Sequence, residues 1–307
     1  MKALVTGATG FLGKHLSQKL RESGVEAYIS NSVVANLMNI ANIDAYYNNI
    51  KFDYIFHLAA VTKAGDYCMT HQGDQWLANQ LINTNILTYW KNKQPQAKMV
   101  AMGTSCSYSP GNVMKEENYL LGQPEPTLYT YAMTKRMLLL GMQAIQQQYG
   151  LKWLYFIPST LYGPGFKLDD NHFIFDFIRN CYNAQTNDEP WELWGDGEQR
   201  RELIYVKDAV DAMFNLLDHE NEVFNLGSGR DYTINEFAQK VCEIYDYDFN
   251  SVGHDMTKYV GVKEKKIDTT KVMSYLGEKE FLKTSLEEGL EECIEYFKRN
   301  MYFKENV

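Results

Sequence analysis

A chain of 307 residues with 45% hydrophobic composition is long enough for two lobes around a sizeable core. Its net charge of −9 excludes a general nucleic-acid-binding surface, so an anionic ligand must meet cations concentrated locally. No apolar run approaches the roughly 20 residues of a membrane span, no signal peptide precedes the first strand, and the five cysteines show no C-x-x-C or paired spacing, which fits a reducing, cytoplasmic setting.

Residues 3–6 read as a buried strand, followed by the turn Gly7-Ala8-Thr9-Gly10-Phe11-Leu12-Gly13 and an amphipathic helix through Leu20. Strands follow at 26–29, 54–58, 98–102 and 154–157, the last stopping at Pro158, with helical patterns at 76–91 and 131–149. Such alternation implies an α/β fold of Rossmann type, a doubly wound parallel sheet whose ligands bind beyond the carboxyl ends of the strands. After Tyr162-Gly163-Pro164-Gly165 the alternation breaks, with a helix at 173–184, a loop through 191–201 and helices at 234–244 and 286–299. The expected organisation is a dinucleotide-binding domain over 1–165, to which 202–228 returns through strands at 203–206 and 223–226. A smaller, interleaved substrate-binding lobe spans 166–307.

The spacing of Gly7, Gly10 and Gly13 between strand and helix suits a pyrophosphate at a helix N-terminus, because glycines allow the backbone to approach closely. Expected cofactor contacts are Gly7, Thr9, Gly10, Phe11, Leu12 and Gly13, then Ser30, Asn31, Asn36 and Leu37 after the second strand. Leu58, Ala59 and Ala60 after the third strand, Asn79 on the next helix, and Pro158 complete the set with Tyr131 and Lys135. Ser30-Asn31-Ser32 offers neither the carboxylate that favours NAD nor the arginine that favours NADP. A 2′-phosphate without a cationic partner binds poorly, so NAD is expected over NADP. No metal site is expected.

Tyr131 and Lys135 stand four residues apart, on one face of a helix. A phenol titrates near pH ~10, and a nearby ammonium pulls it toward working pH, which makes an acid or base for a carbonyl or alcohol. Alone the pair reads equally well as a solvated helix face; with the glycine turn and the strand-end cluster Gly103-Thr104-Ser105-Cys106 it describes hydride transfer at a sugar-like carbon.

With these residues the chain resembles the extended short-chain dehydrogenase/reductase family, and within it the GDP-L-fucose synthase group, over most of its length. Gly103-Thr104-Ser105-Cys106-Ser107-Tyr108 is similar to that group's Gly-Ser-Ser-Cys-x-Tyr, and Glu125-Pro126-Thr127 with Tyr131-Ala132-x-x-Lys135 to its Glu-Pro-Thr-x-x-x-Tyr-Ala-x-x-Lys. Leu161-Tyr162-Gly163-Pro164, Asn171-His172, Trp194-Gly195-x-Gly197, Arg201-Glu202 and Asn225-Leu226-Gly227-Ser228-Gly229 continue the resemblance. It implies that Thr104 holds the reacting oxygen, that Tyr131 is the acid or base and that Lys135 tunes it and holds the nicotinamide ribose. Cys106 and His172 would be epimerisation base and acid, with plainer readings as a strand-end residue and a helix-start residue. Ser105, Arg179, Trp194 and Arg201 are expected to face substrate, Arg201 first for its diphosphate; Trp194 either stacks on a base or fills the lobe interface.

The resemblance implies an NAD(P)-dependent oxidoreductase acting at C4 of a nucleotide sugar, with or without epimerisation at C3 and C5, and a homodimer paired through the Tyr131 helix. A C4 dehydrogenase, a nucleotide-sugar 4-epimerase and a non-catalytic cofactor sensor are the other readings. Departures bear on the substrate. The group's Lys-Val-Gly-Gly is Val61-Thr62-Lys63-Ala64-Gly65 here, an expected arginine is Asn180 with Arg179 beside it, and Lys258–Lys265 replaces a Lys-Pro-Asp-Gly-Thr-Pro-Arg-Lys run. Thr9 and Ser30 stand where that group has two arginines for NADPH.

Overall fold

Successive strands alternate apolar side chains to both sides, so that one sheet must be covered on both faces. The computed structural model describes residues 1–47, 49–62, 66–258 and 260–305. The first half runs β1 (Lys2–Thr6), α1 (Phe11–Glu22), β2 (Glu26–Ser30), α2 (Ile40–Tyr47), β3 (Tyr54–His57), α3 (Asp66–Thr70), α4 (Gln72–Lys93), β4 (Lys98–Met102), α5 (Tyr129–Tyr149) and β5 (Trp153–Pro158). The second half runs β6 (Thr160–Tyr162), α6 (Phe173–Asn187), β7 (Glu192–Trp194), β8 (Arg200–Tyr205), α7 (Val206–Asn215), β9 (Glu222–Leu226), β10 (Asp231–Thr233), α8 (Ile234–Tyr245), β11 (Gly253–Asp255), β12 (Glu264–Lys265), α9 (Thr270–Leu276), α10 (Glu278–Phe281) and α11 (Leu286–Glu305).

Six parallel strands form the main sheet in the order β2-β1-β3-β4-β5-β9. Leu4, Ile55, Met99 and Tyr155 pack on one face against α2, α4 and α5, and Val5, Phe56, Val100 and Phe156 on the other against α1 and α7. The chain turns to opposite sides after β1 and β3, which opens a crevice at their carboxyl ends.

One expectation needs correction. The strand expected at 203–206 does not return to the main sheet; β8 pairs with β6, β10 and β12 instead, while β9 does join beside β5. The reason is the two-residue period of a strand. Leu203 and Tyr205 point into the core of the second lobe with α6, α8 and α11, while Ile204 points into the core shared with α1 and α7. An apolar run buried on both sides reads alike in either sheet. The expected loop at 191–201 likewise holds β7 and the start of β8.

The glycine turn is packed to its limit. A Cβ at Gly13 would lie 2.2 Å from Gly7 O, and Gly7 has φ +68° with the Ala59 backbone 2.7 Å from where its Cβ would be. Gly13→Ala should therefore lower unfolding free energy by about 1–3 kcal/mol. Gly73→Ala, where a Cβ would meet nothing within 4 Å, should change it by less than about 0.5 kcal/mol; thermal denaturation of both variants is the check.

Candidate functional site

Thr6, the last residue of β1, sets the floor of the crevice. Its Oγ1 accepts from the backbone N–H groups of Leu58 (3.2 Å) and Ala59 (3.3 Å) and lies 2.9 Å from His57 Nδ1. On the other side of the imidazole, Nε2 is 3.1 Å from Asn83 Oδ1, whose own Nδ2 donates to Thr134 O at 3.2 Å. The amide donation fixes Asn83 Oδ1 as acceptor, so His57 carries its proton on Nε2 and receives the Thr6 hydroxyl proton at Nδ1. Burial lowers His57 to about 4, with Lys135 adding to the effect. It is a neutral structural histidine, joining β1, β3, α4 and the residue before Lys135.

A cavity of about 620 Å³ lies above this floor. Its wall includes Gly7, Thr9, Gly10, Phe11, Leu12 and Gly13 from the turn, and Ser30, Asn31, Asn36 and Leu37 from the region after β2. Leu58, Ala59, Ala60, Lys135, Pro158 and His172 also line it. Asn79 does not. It is buried behind the wall, where its amide accepts from Val61 N–H at 2.8 Å and donates to Val61 O at 3.1 Å, holding the chain after β3. Of the departure at 61–65, residues 63–65 lie outside the described residues.

The neutral turn after β2 is committed to its own backbone. Ser30 Oγ donates to Ala35 O at 3.1 Å, Asn31 Oδ1 accepts from Val33 and Val34 N–H at 2.8 Å, and Asn36 Oδ1 accepts from Met38 N–H at 3.0 Å. Neither a carboxylate nor an arginine lines that end of the cavity among the described residues.

Of the expected catalytic residues, Lys135 and His172 line the cavity, whereas Thr104, Cys106 and Tyr131 are not among its lining residues. Lys135 is buried on α5, donates to Met102 O at 3.0 Å, and is lowered to about 8 by burial. Burial raises the Tyr131 phenol, and the neighbouring Cys106, Tyr119 and Cys68 push the same way. Lys135 is buried with its ammonium directed at a backbone carbonyl, and Tyr131 is half-buried. Thr104 caps a short 3₁₀ turn over residues 105–107, accepting at Oγ1 from Cys106 N–H at 3.3 Å, while the Tyr119 hydroxyl accepts from Thr104 N–H at 3.3 Å. Arg136 holds that turn to α5 through Ser107 O at 2.8 Å. Gly103 is required here by close approach, since a Cβ would lie 2.6 Å from the Tyr155 ring.

Cys106 is half-buried and has a partner the sequence reading missed. Lys265, on β12, donates to its Sγ at 2.9 Å. Burial alone would raise the thiol, but the charge and hydrogen bond of Lys265, with Thr104, hold it below its ordinary value. His172 caps α6 and is raised by its hydrogen bond to Asp170, 2.6 Å from Nδ1, against the effect of burial, with a further upward push from the charge of Cys106. Asp170 was legible as the first residue of an Asp-x-His turn; Lys265 was hidden in a lysine-rich stretch.

The expected substrate residues are more scattered. Ser105 and Arg201 line a small adjoining pocket with Glu202 and Lys265. Arg201 donates to Val260 O at 2.9 Å and Val262 O at 2.8 Å, and Arg179 braces Leu168 O and Asp170 O at 3.1 Å while pairing with Asp176. Both arginines thereby shape the site's loops. Trp194 is 57% exposed, with Lys258 over its ring, which removes the reading that it fills the lobe interface.

The NAD dependent epimerase/dehydratase family model matches residues 3–227. The chain belongs to that family. It is therefore a pyridine-nucleotide-dependent enzyme. GDP-L-colitose synthase of Yersinia pseudotuberculosis is 30% identical over 97% of this chain and 98% of its own. GDP-L-fucose synthase 1 of Arabidopsis thaliana is 29% identical over 98% and 94%. The NADP-bound GDP-L-fucose synthetase structure from Naegleria fowleri superposes with a TM-score of 0.87 at 23% identity, covering 98% of this chain and 93% of that one. This last likeness bears on the fold.

His57 gives this member of the family a pH signature. The unfolded imidazole titrates near 6.5 and the folded one near 4, so the unfolded state binds more protons between these values. Stability contributed by neutral His57 is present above pH 6.5 and lost as pH falls toward 4, by up to about 3 kcal/mol. Denaturant unfolding from pH 7 to 4.5 should show this slope, and His57→Gln should reduce it by about one proton.

Proposed function

We propose that the protein is an NAD-dependent nucleotide-sugar oxidoreductase that reduces a 4-keto group of a GDP-linked sugar and inverts the carbons beside it. The observation that supports this reading is that Lys135 and His172 line the cavity while the charge of Cys106 acts on both His172 and Tyr131. Reduction alone needs neither the thiol nor the imidazole. Two relatives are named for GDP-linked sugars, which supports the nucleotide.

The residues fit a dinucleotide. Gly7 and Gly13 leave a cradle that a Cβ would fill, and the first N–H groups of α1 have no intrahelical partner, which suits a pyrophosphate. When bound, the nicotinamide supplies or accepts the hydride. Lys135 binds the adjoining ribose. Tyr131, kept protonated by its burial, donates a proton to the C4 oxygen, and the Thr104 hydroxyl, still free to donate, orients that oxygen. His172 presents Nε2 because Asp170 holds Nδ1. Neutral Thr9 and the self-satisfied turn at Ser30 and Asn31 disfavour a 2′-phosphate dianion, so NAD is preferred over NADP. The sheet lobe takes the dinucleotide, and the lobe built on α6, α8 and α11 takes the sugar nucleotide.

A homodimer is supported by the outer faces of α4 and α5. Leu77, Leu81, Met137 and Leu140 are exposed there on two helices that pack side by side. The five cysteines are all free, in keeping with a reducing, cytoplasmic setting. No helix among the described residues is long and apolar enough to cross a membrane.

Adding GDP-4-keto-6-deoxymannose to protein and NADH should consume NADH, place solvent deuterium at C3 or C5, and give a KM for NADPH at least about tenfold higher than for NADH. Tyr131→Phe should lower kcat by roughly 100-fold or more. Turnover insensitive to that change, or no reaction with the ketosugar while a C4-hydroxy nucleotide sugar reduces NAD, would replace this reading with a sensor or a C4 dehydrogenase respectively. A dimeric mass by light scattering is expected, and a monomer would remove the pairing.

A further inference from the structure

β12 is two residues long, yet three sets of contacts with β8 fix its place. It runs parallel to β8 with Lys265 opposite Arg201, Arg201 holds Val260 O and Val262 O just before it, and the buried carboxylate of Glu202 accepts from Ile267 N–H at 2.9 Å just after it. Consecutive side chains on a strand point to opposite faces. Lys266 accordingly reaches Asp231 at the surface, 3.0 Å away, while Lys265 turns inward and meets Cys106 Sγ at 2.9 Å. An ammonium directed at a thiol by strand pairing and by two side chains of the same neighbouring strand is a built pair.

We propose that Lys265 is a positioning residue: its ammonium, held at the sulfur of Cys106, keeps as a thiolate the group to which the family resemblance already gives the role of base beside the sugar ketone. The proposal rests on the function given above. In the step, the C–H bond breaks and an S–H bond forms, while the electron pair becomes the carbon–carbon double bond of an enolate whose charge rests on the C4 oxygen. The Thr104 and Tyr131 hydroxyls donate to that oxygen. Protonation of the opposite face by His172 reforms a C–H bond and restores the ketone, and exchange with solvent returns one proton to His172 and removes one from Cys106. No oxidant or reductant is consumed.

The other groups facing Cys106 act in different directions. Glu125, on the loop before α5, opposes the thiolate, whereas Thr104 favours it. A thiolate raises the neighbouring Tyr131, Cys68 and His172. It therefore keeps the two proton donors, Tyr131 and His172, protonated, so the base readies both acids.

The other four cysteines are buried, which makes Cys106 the one reachable by a small alkylating reagent. The rate of iodoacetamide labelling of Cys106, followed by mass spectrometry of the full chain from pH 5 to 10, should show a midpoint below the usual thiol value of about 8.5. Lys265→Gln should raise that midpoint by about one pH unit or more, with roughly tenfold slower labelling at pH 7, and Lys265→Arg should restore it. Solvent-deuterium exchange into the ketosugar should fall in Lys265→Gln at pH 7 and recover toward pH 9. An identical labelling profile in native protein and Lys265→Gln would overturn the pairing. Exchange that stays lost at high pH would overturn the positioning role, because Lys265 would then be contacting substrate. Shifted labelling with no exchange in the native protein would instead overturn the base role together with the sugar chemistry on which it rests.

Discussion

A single threonine hydroxyl ties the crevice together. Thr6 Oγ1 takes two backbone N–H groups from the chain leaving β3 and gives its proton to His57, and through Asn83 the same line of hydrogen bonds reaches Thr134 on α5. Buried polar groups cost little only when every member of the network is satisfied. Here each partner has a role the next one fixes, so the ends of β1 and β3 and the start of α5 are held in one register. The glycine turn then has to cross the Ala59 backbone at close range, and Lys135 has to emerge one residue beyond the network's end.

On an acidic protein, the reactive end of the crevice depends on two inward-facing ammonium groups. Lys135 is directed by Met102 O, and Lys265 by the clamp of Arg201 and Glu202 on the chain around β12. Burial works against both a charged lysine and a charged thiol, but an ammonium in contact with a thiol offsets that cost for each. The result is an ordered set of proton positions. Burial raises the Tyr131 phenol, Asp170 raises the His172 imidazole, and Lys265 lowers the Cys106 thiol. That division suits a site that must both give and take protons around one carbonyl.

Arg136, Arg179 and Arg201 serve the site without lining its main cavity. Each uses its guanidinium to collect backbone carbonyls of a loop: Ser107, Leu121 and Gly122 for Arg136, Leu168 and Asp170 for Arg179, Val260 and Val262 for Arg201. A planar donor fork can satisfy several carbonyls at once, which a lysine cannot do in the same geometry. The loops that carry Cys106, His172 and Lys265 are therefore braced by arginines, of which Arg136 is buried and Arg179 and Arg201 are half-buried.

Much of this was legible in the chain because it depends on local chemistry. The glycine turn followed from spacing between strand and helix, the strand ends from apolar runs, and Tyr131 with Lys135 from the four-residue period of a helix. The second lobe was less legible. β8 carries apolar residues on both faces and reads equally well as a strand of either sheet, so only pairing with β6, β10 and β12 decided its place. Arg179 and Arg201 looked like free cations because sequence shows a charge without showing which carbonyls surround it. Sequence by itself determined the residue types, their local periods and hence the dinucleotide-binding architecture. Only the tertiary structure decided that Lys265, 159 residues from Cys106 along the chain, lies against its sulfur, because a contact between distant segments depends on how two sheets close on each other and no local pattern encodes it.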